Sequence, residues 1–200
     1  MSRLSFAGAA CALWLAASPA AAEPFANFEA MCLGTNADRQ AAVAAAKDAG
    51  WVVMPPEMME QGEEDFRDTQ VYLSADPFTA SDKGPPADLE MLITGWGSGE
   101  EVFGIGGVRV DACVVMSLFG ERPDLEAVVT ERLGFSPVNL GDQEGWVFSR
   151  EGSSFRSEAH LMELDESELP RIARERKLYM LGVLNEDGMS GLMLGAVRPE

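Results

Sequence analysis

"GVRVDACVVMSLF", residues 107–119, is the most strand-like run in the chain, and its reading decides the fold. From Ala112 onward both side-chain parities are largely apolar, so the second half is expected to be buried on both faces. That is the pattern of a strand in the interior of a sheet. On its N-terminal side, "DLEMLITGW" at 88–96 reads as a second strong strand, joined to the first through glycine-rich "GSGEEVFGIGG". "FRDTQVYL" at 66–73 shows partial alternation, and "WVVM" before Pro55 and Pro56 is extended. The stretch 76–88, "DPFTASDKGPPAD", is a loop by composition and the best candidate for a mobile flap.

Further out lie helices. "PFANFEAMCLG" predicts a first helix closed by Gly34. "TNADRQAAVAAAKDAGW" predicts a second, capped by Thr35 or Asn36, with Gly50 just past its end. "RPDLEAVVTERLGF" is the cleanest helix: Leu125, Val128, Val129 and Leu133 form an apolar stripe, Arg132 lies at its edge, and Gly134 stops it. Three short strands follow around "VNL", "WVFSR" and "SFRSEAHLMEL". A helix over "DESELPRIARERK" comes next, starting at Asp165 or Ser167, with Pro170 tolerable only in its first turn. "LYMLGVL" and "GLMLGAVR" form a hairpin whose turn is Asp187-Gly188. Tight turns between successive strands mean antiparallel pairing. The fold class is therefore α+β, one mostly antiparallel sheet with helices packed on one face.

The N-terminus carries Arg3, an apolar run from Leu4 to Ala17, a break at Ser18-Pro19, and Ala20 and Ala22 in the small-x-small arrangement before Glu23. These are the marks of a secretory signal peptide over 1–22, leaving a single domain over 23–200 in the periplasm or outside the cell. Gly8, Ala9 and Ala10 before Cys11 lack the leucine-type residue of a lipoprotein signal, and no arginine pair marks twin-arginine export. Residues 1–22 hold one of the 15 cations and none of the 33 acids, so the remaining 178 residues carry 14 against 33, a net −19. Such a surface repels nucleic-acid phosphates, and no nucleic-acid partner is expected. No segment of residues 23–200 is long and apolar enough to span a bilayer.

Beyond the signal, Cys32 and Cys113 are the two cysteines, an even pair in an oxidising compartment and hence a disulfide. Phe25, Phe28 and Cys32 share one helix face, which would rest on the middle of the strand that carries Cys113. A nucleophilic thiol would need the single histidine, His160, beside it. A tight metal site would need more His and Cys ligands than the chain owns, so no metal and no cofactor are expected.

The other motifs exclude more than they assign. "GWGSGEEVFGIGG" lacks both the Gly-Lys-Ser/Thr ending of a phosphate loop and a complete dinucleotide fingerprint. Ser98 is not in a nucleophile elbow, and neither Ser153 nor Ser154 has a lysine three residues on. Continued strand alternation would put Arg156, Glu158 and His160 on one side, an acid-base pair on an exposed face. "NEDGMSG" and "LGDQEGW" lack the spacing of a calcium loop and read as hairpin turns. The methionines, Met58, Met59, Met189 and Met193 among them, are scattered and read as core filling rather than as thioether ligands for Cu(I).

These absences favour an exported accessory domain that binds a protein or small ligand over an enzyme. Trp96, Phe103, Trp146, Glu158 and His160 are the binding candidates, with Trp51 as a further aromatic. The competing readings are a hydrolase using a carboxylate with His160 in a cleft, and a structural component of the envelope.

Overall fold

A computed structural model describes residues 24–54, 66–76, 86–100, 106–140, 143–164, 168–186 and 188–199. The first helix, α1 (Pro24–Phe28), runs on into a π-helical turn, Glu29–Leu33, closed where the Gly34 N–H donates to the Glu29 carbonyl at 2.7 Å. It is followed by α2 (Arg39–Asp48), β1 (Val52–Val53), β2 (Arg67–Leu73), β3 (Glu90–Ser98) and β4 (Val108–Ser117). The rest comprises α3 (Leu125–Leu133), β5 (Val138–Asn139), β6 (Glu144–Glu151), β7 (Ser154–Ser157), a 3-10 turn (Ala159–Glu163), α4 (Leu169–Glu175), β8 (Leu178–Glu186) and β9 (Met189–Pro199).

All described strands form one antiparallel sheet in the order β1-β2-β3-β4-β9-β8-β6-β5, with β7 on β6. β4 lies inside it, between β3 and β9, and Ala112 to Val115 are buried, as the apolar run of both parities requires. The C-terminal β9 knits the two halves together: it pairs with β4 from Val108 opposite Pro199 to Ser117 opposite Ser190. The hairpin before it turns at Gly188, whose φ of 80° suits glycine.

Side chains divide the sheet into two faces. One carries Tyr72, Leu92, Cys113, Val115, Trp146, Phe148, Tyr179, Leu181, Leu192, Leu194 and Ala196, and α1, α2 and α3 pack on it with Phe28, Met31, Ala42, Ala46, Val129 and Leu133. Cys32 and Cys113 meet there, both fully buried, with S–S 2.05 Å and Cα–Cα 5.5 Å. The bridge fastens α1 to the sheet interior as the spacing of Phe25, Phe28 and Cys32 predicts.

Three expectations are corrected. The helices do not all share one face: Leu161 of the 3-10 turn and Ile172 and Ala173 of α4 pack on Val108, Leu178 and Val197, which alternate out of phase with Cys113 and so lie on the opposite face. The cap of α2 is neither Thr35 nor Asn36. Asn36 and Ala37 take positive φ of 58° and 55° in the turn after α1, so the helix starts only at Asp38, whose Oδ1 accepts from the Ala41 N–H at 2.9 Å. The strand through "SFRSEAHLMEL" stops at Ser157, because Glu158 turns inward and the chain coils into the 3-10 turn. Pro170 does sit in the first turn of α4, while the expected starts at Asp165 and Ser167 lie outside the described residues.

Candidate functional site

Strand β3 places Trp96 opposite Arg67 of β2 and Asp111 of β4. Between Arg67 and Gln70 the β2 register slips, and Asp68 takes φ 53°, a left-handed conformation that a short polar side chain tolerates. The slip aims Asp68 at the indole, and Trp96 Nε1 donates to Asp68 Oδ2 at 3.0 Å. The Arg67 and Arg109 guanidiniums lie over the ring, 5.0 and 5.5 Å from its centroid. Trp96 stays half-exposed in this setting.

Charge gathers around it. Arg39 Nη1 reaches Asp68 Oδ2 at 3.5 Å and donates to its carbonyl at 3.2 Å. Arg109 pairs with Asp111 at 2.9 Å, and Arg198 approaches the same carboxylate at 3.4 Å. Three arginines, Arg39, Arg109 and Arg198, thus share two aspartates, with Arg67 stacked over the ring beside them, a gathering of arginines on a chain of net charge −18. Arg198 also donates to the Asn36 carbonyl at 2.8 Å, and Tyr179 Oη donates to Asn36 Oδ1 at 3.0 Å. The strained Asn36-Ala37 turn is therefore pinned beneath this cluster, which stiffens it.

Glu158 and His160 meet by a different route from the one alternation implies. Glu158 is fully buried; its Oε1 accepts from Ser149 Oγ and from Arg176 Nη1, both at 2.7 Å. Its Oε2 has no hydrogen-bond partner and stands 3.7 Å from His160 Nε2 on the exposed 3-10 turn. The carboxylate is spoken for by Arg176, and the arrangement ties the 3-10 turn and the start of β8 to β6.

Trp96 and Glu158 do not converge. The cross-strand row Trp96, Asp111, Ala196, Tyr179, Phe148 places β3 four strand spacings from β6, roughly 20 Å at ~4.8 Å each. Glu158 also bonds to Ser149, which faces away from the side that carries Trp96. Trp146 and Trp51 are core residues, and Trp146 Nε1 donates to the Phe135 carbonyl at 3.1 Å. Phe103 and residues 77–85 of the loop lie outside the described residues.

Sequence reasoning missed Glu90. It heads β3 on the same face as Leu92 and Thr94, and both it and Thr94 are buried. Asn27 Nδ2 donates to Glu90 Oε2, Oε1 is unpartnered, and Ser74 Oγ accepts from the Glu90 backbone N–H at 2.9 Å. Burial pushes its carboxyl up to about 7; the Asn27 hydrogen bond opposes this, nearby Asp88 adds to it, and the Arg122 charge opposes it. The signal was its phase: in "EMLITGW", Glu90 shares parity with Leu92 and Thr94.

Among the described residues no helix is long and apolar enough to cross a membrane, and no group of three or more His, Cys, Asp or Glu could hold a metal. No protein family, curated protein or solved structure matches the chain.

Proposed function

We propose that this chain acts outside the cytosol as a binding domain, and that the Trp96 surface is its contact with an anionic, carboxylate-bearing protein partner. The observation that carries the reading is the half-exposed Trp96 under Arg67 and Arg109, an island of arginines on an acidic protein. Tryptophan and arginine dominate the energetics of protein interfaces, and a rigid ring held by its neighbours loses little entropy on docking. Carboxylates of a partner would find planar guanidinium donors there. The export half of the reading is supported by the buried Cys32–Cys113 bridge, since such bonds persist in oxidising compartments, and by the leader pattern of residues 1–22.

The test is a photo-crosslinking amino acid at position 96, installed in the full chain and activated in the producing cell. A discrete adduct is expected, lost when Arg67 and Arg109 become glutamine and absent when the crosslinker sits at Phe119, an exposed apolar residue elsewhere. The same adduct pattern from both positions, or one indifferent to the arginines, would overturn the assignment.

A further inference from the structure

At the end of β3 away from Trp96, the disulfide-side face closes in a row of polar side chains. Glu90 stands opposite Ser117 of β4, Ser117 opposite Ser190 of β9, and Ser190 opposite Asn185 of β8; on the other flank the Ser74 N–H donates to the Glu90 carbonyl at 2.9 Å. The hydroxyls of this row are partnered. Ser74 Oγ accepts from the Glu90 N–H at 2.9 Å, and Ser117 Oγ donates to the Phe119 carbonyl at 3.0 Å. Ser190 Oγ donates to Asn185 Oδ1 at 2.7 Å and accepts from the Arg122 N–H at 2.9 Å. Glu90 is the exception: it is buried, its Oε1 has no hydrogen-bond partner, and the donor to its Oε2, Asn27, comes from α1.

A carboxylate with a dry, unpaired oxygen is costly, whereas the neutral carboxyl tolerates the same place far better. Burial accordingly holds the group up at about 7, against the Asn27 hydrogen bond. Of the charges that face it, Asp88 adds to the rise and Arg122, its guanidinium held by Asp124 at 3.0 Å, opposes it. Glu29, beyond Asn27, is taken by Arg132 of α3.

The segment that carries Asn27 is built to yield. α1 is only five residues long and passes at Glu29 into the π-helical turn, a rare geometry that interrupts the α-helical ladder. Phe25 and Asn27 are partly exposed and Ala26 is exposed. The covalent anchor lies further on, at Cys32.

We propose that the Asn27–Glu90 contact is a proton-controlled latch. With Glu90 neutral, the first turn of α1 lies closed on the sheet end; with Glu90 ionised, that turn lifts about the π-helical turn and water reaches the carboxylate, while the disulfide keeps the rest of the segment in place. The latch is independent of the role assigned to the Trp96 surface.

Closed, the carboxyl ionises near 7; open to water, near 4.5. The closed state is therefore fully held below pH 4.5 and loses its hold as pH rises from there through 7, the opening constant growing by up to about tenfold per unit of pH. Solvent screening at the sheet end reduces this, and a gain of at least ~10-fold between pH 5 and 7.5 is expected.

The test is hydrogen–deuterium exchange of the folded, disulfide-bonded protein at those two pH values, corrected for intrinsic rates and read by peptide mass. Peptides over α1 and the π-helical turn should lose protection at least ~10-fold, while those over α4, on the opposite face, keep theirs. Glu90→Gln, of nearly the same shape, should abolish the loss. A second readout needs no substitution in the protein measured: the carboxyl carbon resonance of Glu90 should titrate with a midpoint near 7. Equal α1 protection at both pH values, an equal loss in α4, a loss retained by Glu90→Gln, or a carboxyl midpoint near 4.5 would overturn the latch.

Discussion

Removing the Cys32–Cys113 bridge should cost several kcal/mol and leave the sheet standing. The cysteines are separated by 81 positions, and in the chain-entropy treatment a cross-link of that span stabilises by about 4.5 kcal/mol by restricting the unfolded chain. Native contacts of α1 survive the loss: Asn27 still bonds to Glu90, Arg132 Nε still donates to Glu29 at 2.7 Å, and Phe28 and Met31 remain in the core. The perturbation is Cys32→Ala with Cys113→Ala, compared with the oxidised parent by urea unfolding. With a slope of about 2 kcal/mol per M for a chain of this size, the midpoint should fall by roughly 2 M, with far-UV dichroism at zero denaturant unchanged. A reductant should lower the parent's midpoint and leave the variant's where it was. The reasoning is refuted if the protein, isolated without reductant, shows Cys32 and Cys113 both alkylatable by peptide mass, or if its midpoint ignores the reductant.

Glu90→Gln should change the pH dependence of stability. The native carboxyl ionises near pH 7 against 4.5 when unfolded, so the parent loses stability as pH rises from 4.5 through 7, by about 3 kcal/mol at most and about 1–2 once solvent screening at the sheet end is allowed for. The glutamine variant should lack this loss, and a parallel pH profile of the two proteins' urea midpoints would refute it. Arg176→Ala leaves the buried Glu158 carboxylate without its counterion and should cost about 2–4 kcal/mol, while His160→Ala on the exposed turn should move the midpoint by less than ~0.5 kcal/mol; equal effects would contradict the pairing described. Gly191→Ala drives a Cβ to 2.5 Å from Met116 Cβ and should lower stability by about 1–3 kcal/mol, relieved in part by Met116→Gly, which removes the contacting Cβ, and not by Met116→Ala, which keeps it. Additive effects of Gly191→Ala and Met116→Gly in a double-mutant cycle would mean the clash is not between those two residues.

What was legible in the sequence was what local pattern and pairwise chemistry carry. The run after Ala112 marked an interior strand, Gly134 and Gly188 marked a helix stop and a hairpin, and the parity and compartment of Cys32 and Cys113 marked a bridge. Errors arose where a tertiary contact outbid local propensity. Alternation past Ser157 makes Glu158 a surface residue, but Ser149 and Arg176, 9 and 18 positions away, draw it inside, and the strand ends there. Asn36 is a good cap by composition; it is spent instead on accepting from Tyr179, 143 positions on, and the cap passes to Asp38. The fourth helix could not be assigned a face from its own residues, since which side it covers depends on how β8 leaves it for the sheet.

The methionines show the same limit from the other side. Along the chain Met91, Met116 and Met193 have no common spacing, and nothing in any one strand distinguishes them from gap-filling residues. Their shared place on the sheet face opposite the disulfide exists only across strands, through the registers Met91 to Met116 and Met116 to Gly191, which are fixed by pairing on both sides of β4. A shift of β9 by one residue against β4 would send Met189 and Met193 to the disulfide face and Leu192 and Leu194 away from it, stripping the core around Cys113. The burial of Leu192 and Leu194 on one face therefore holds the register that sorts the methionines to the other, so Leu194→Ala, which opens a cavity beside Cys113, should cost about 2–5 kcal/mol in urea unfolding, and a loss below that range would mean this core does not fix the register.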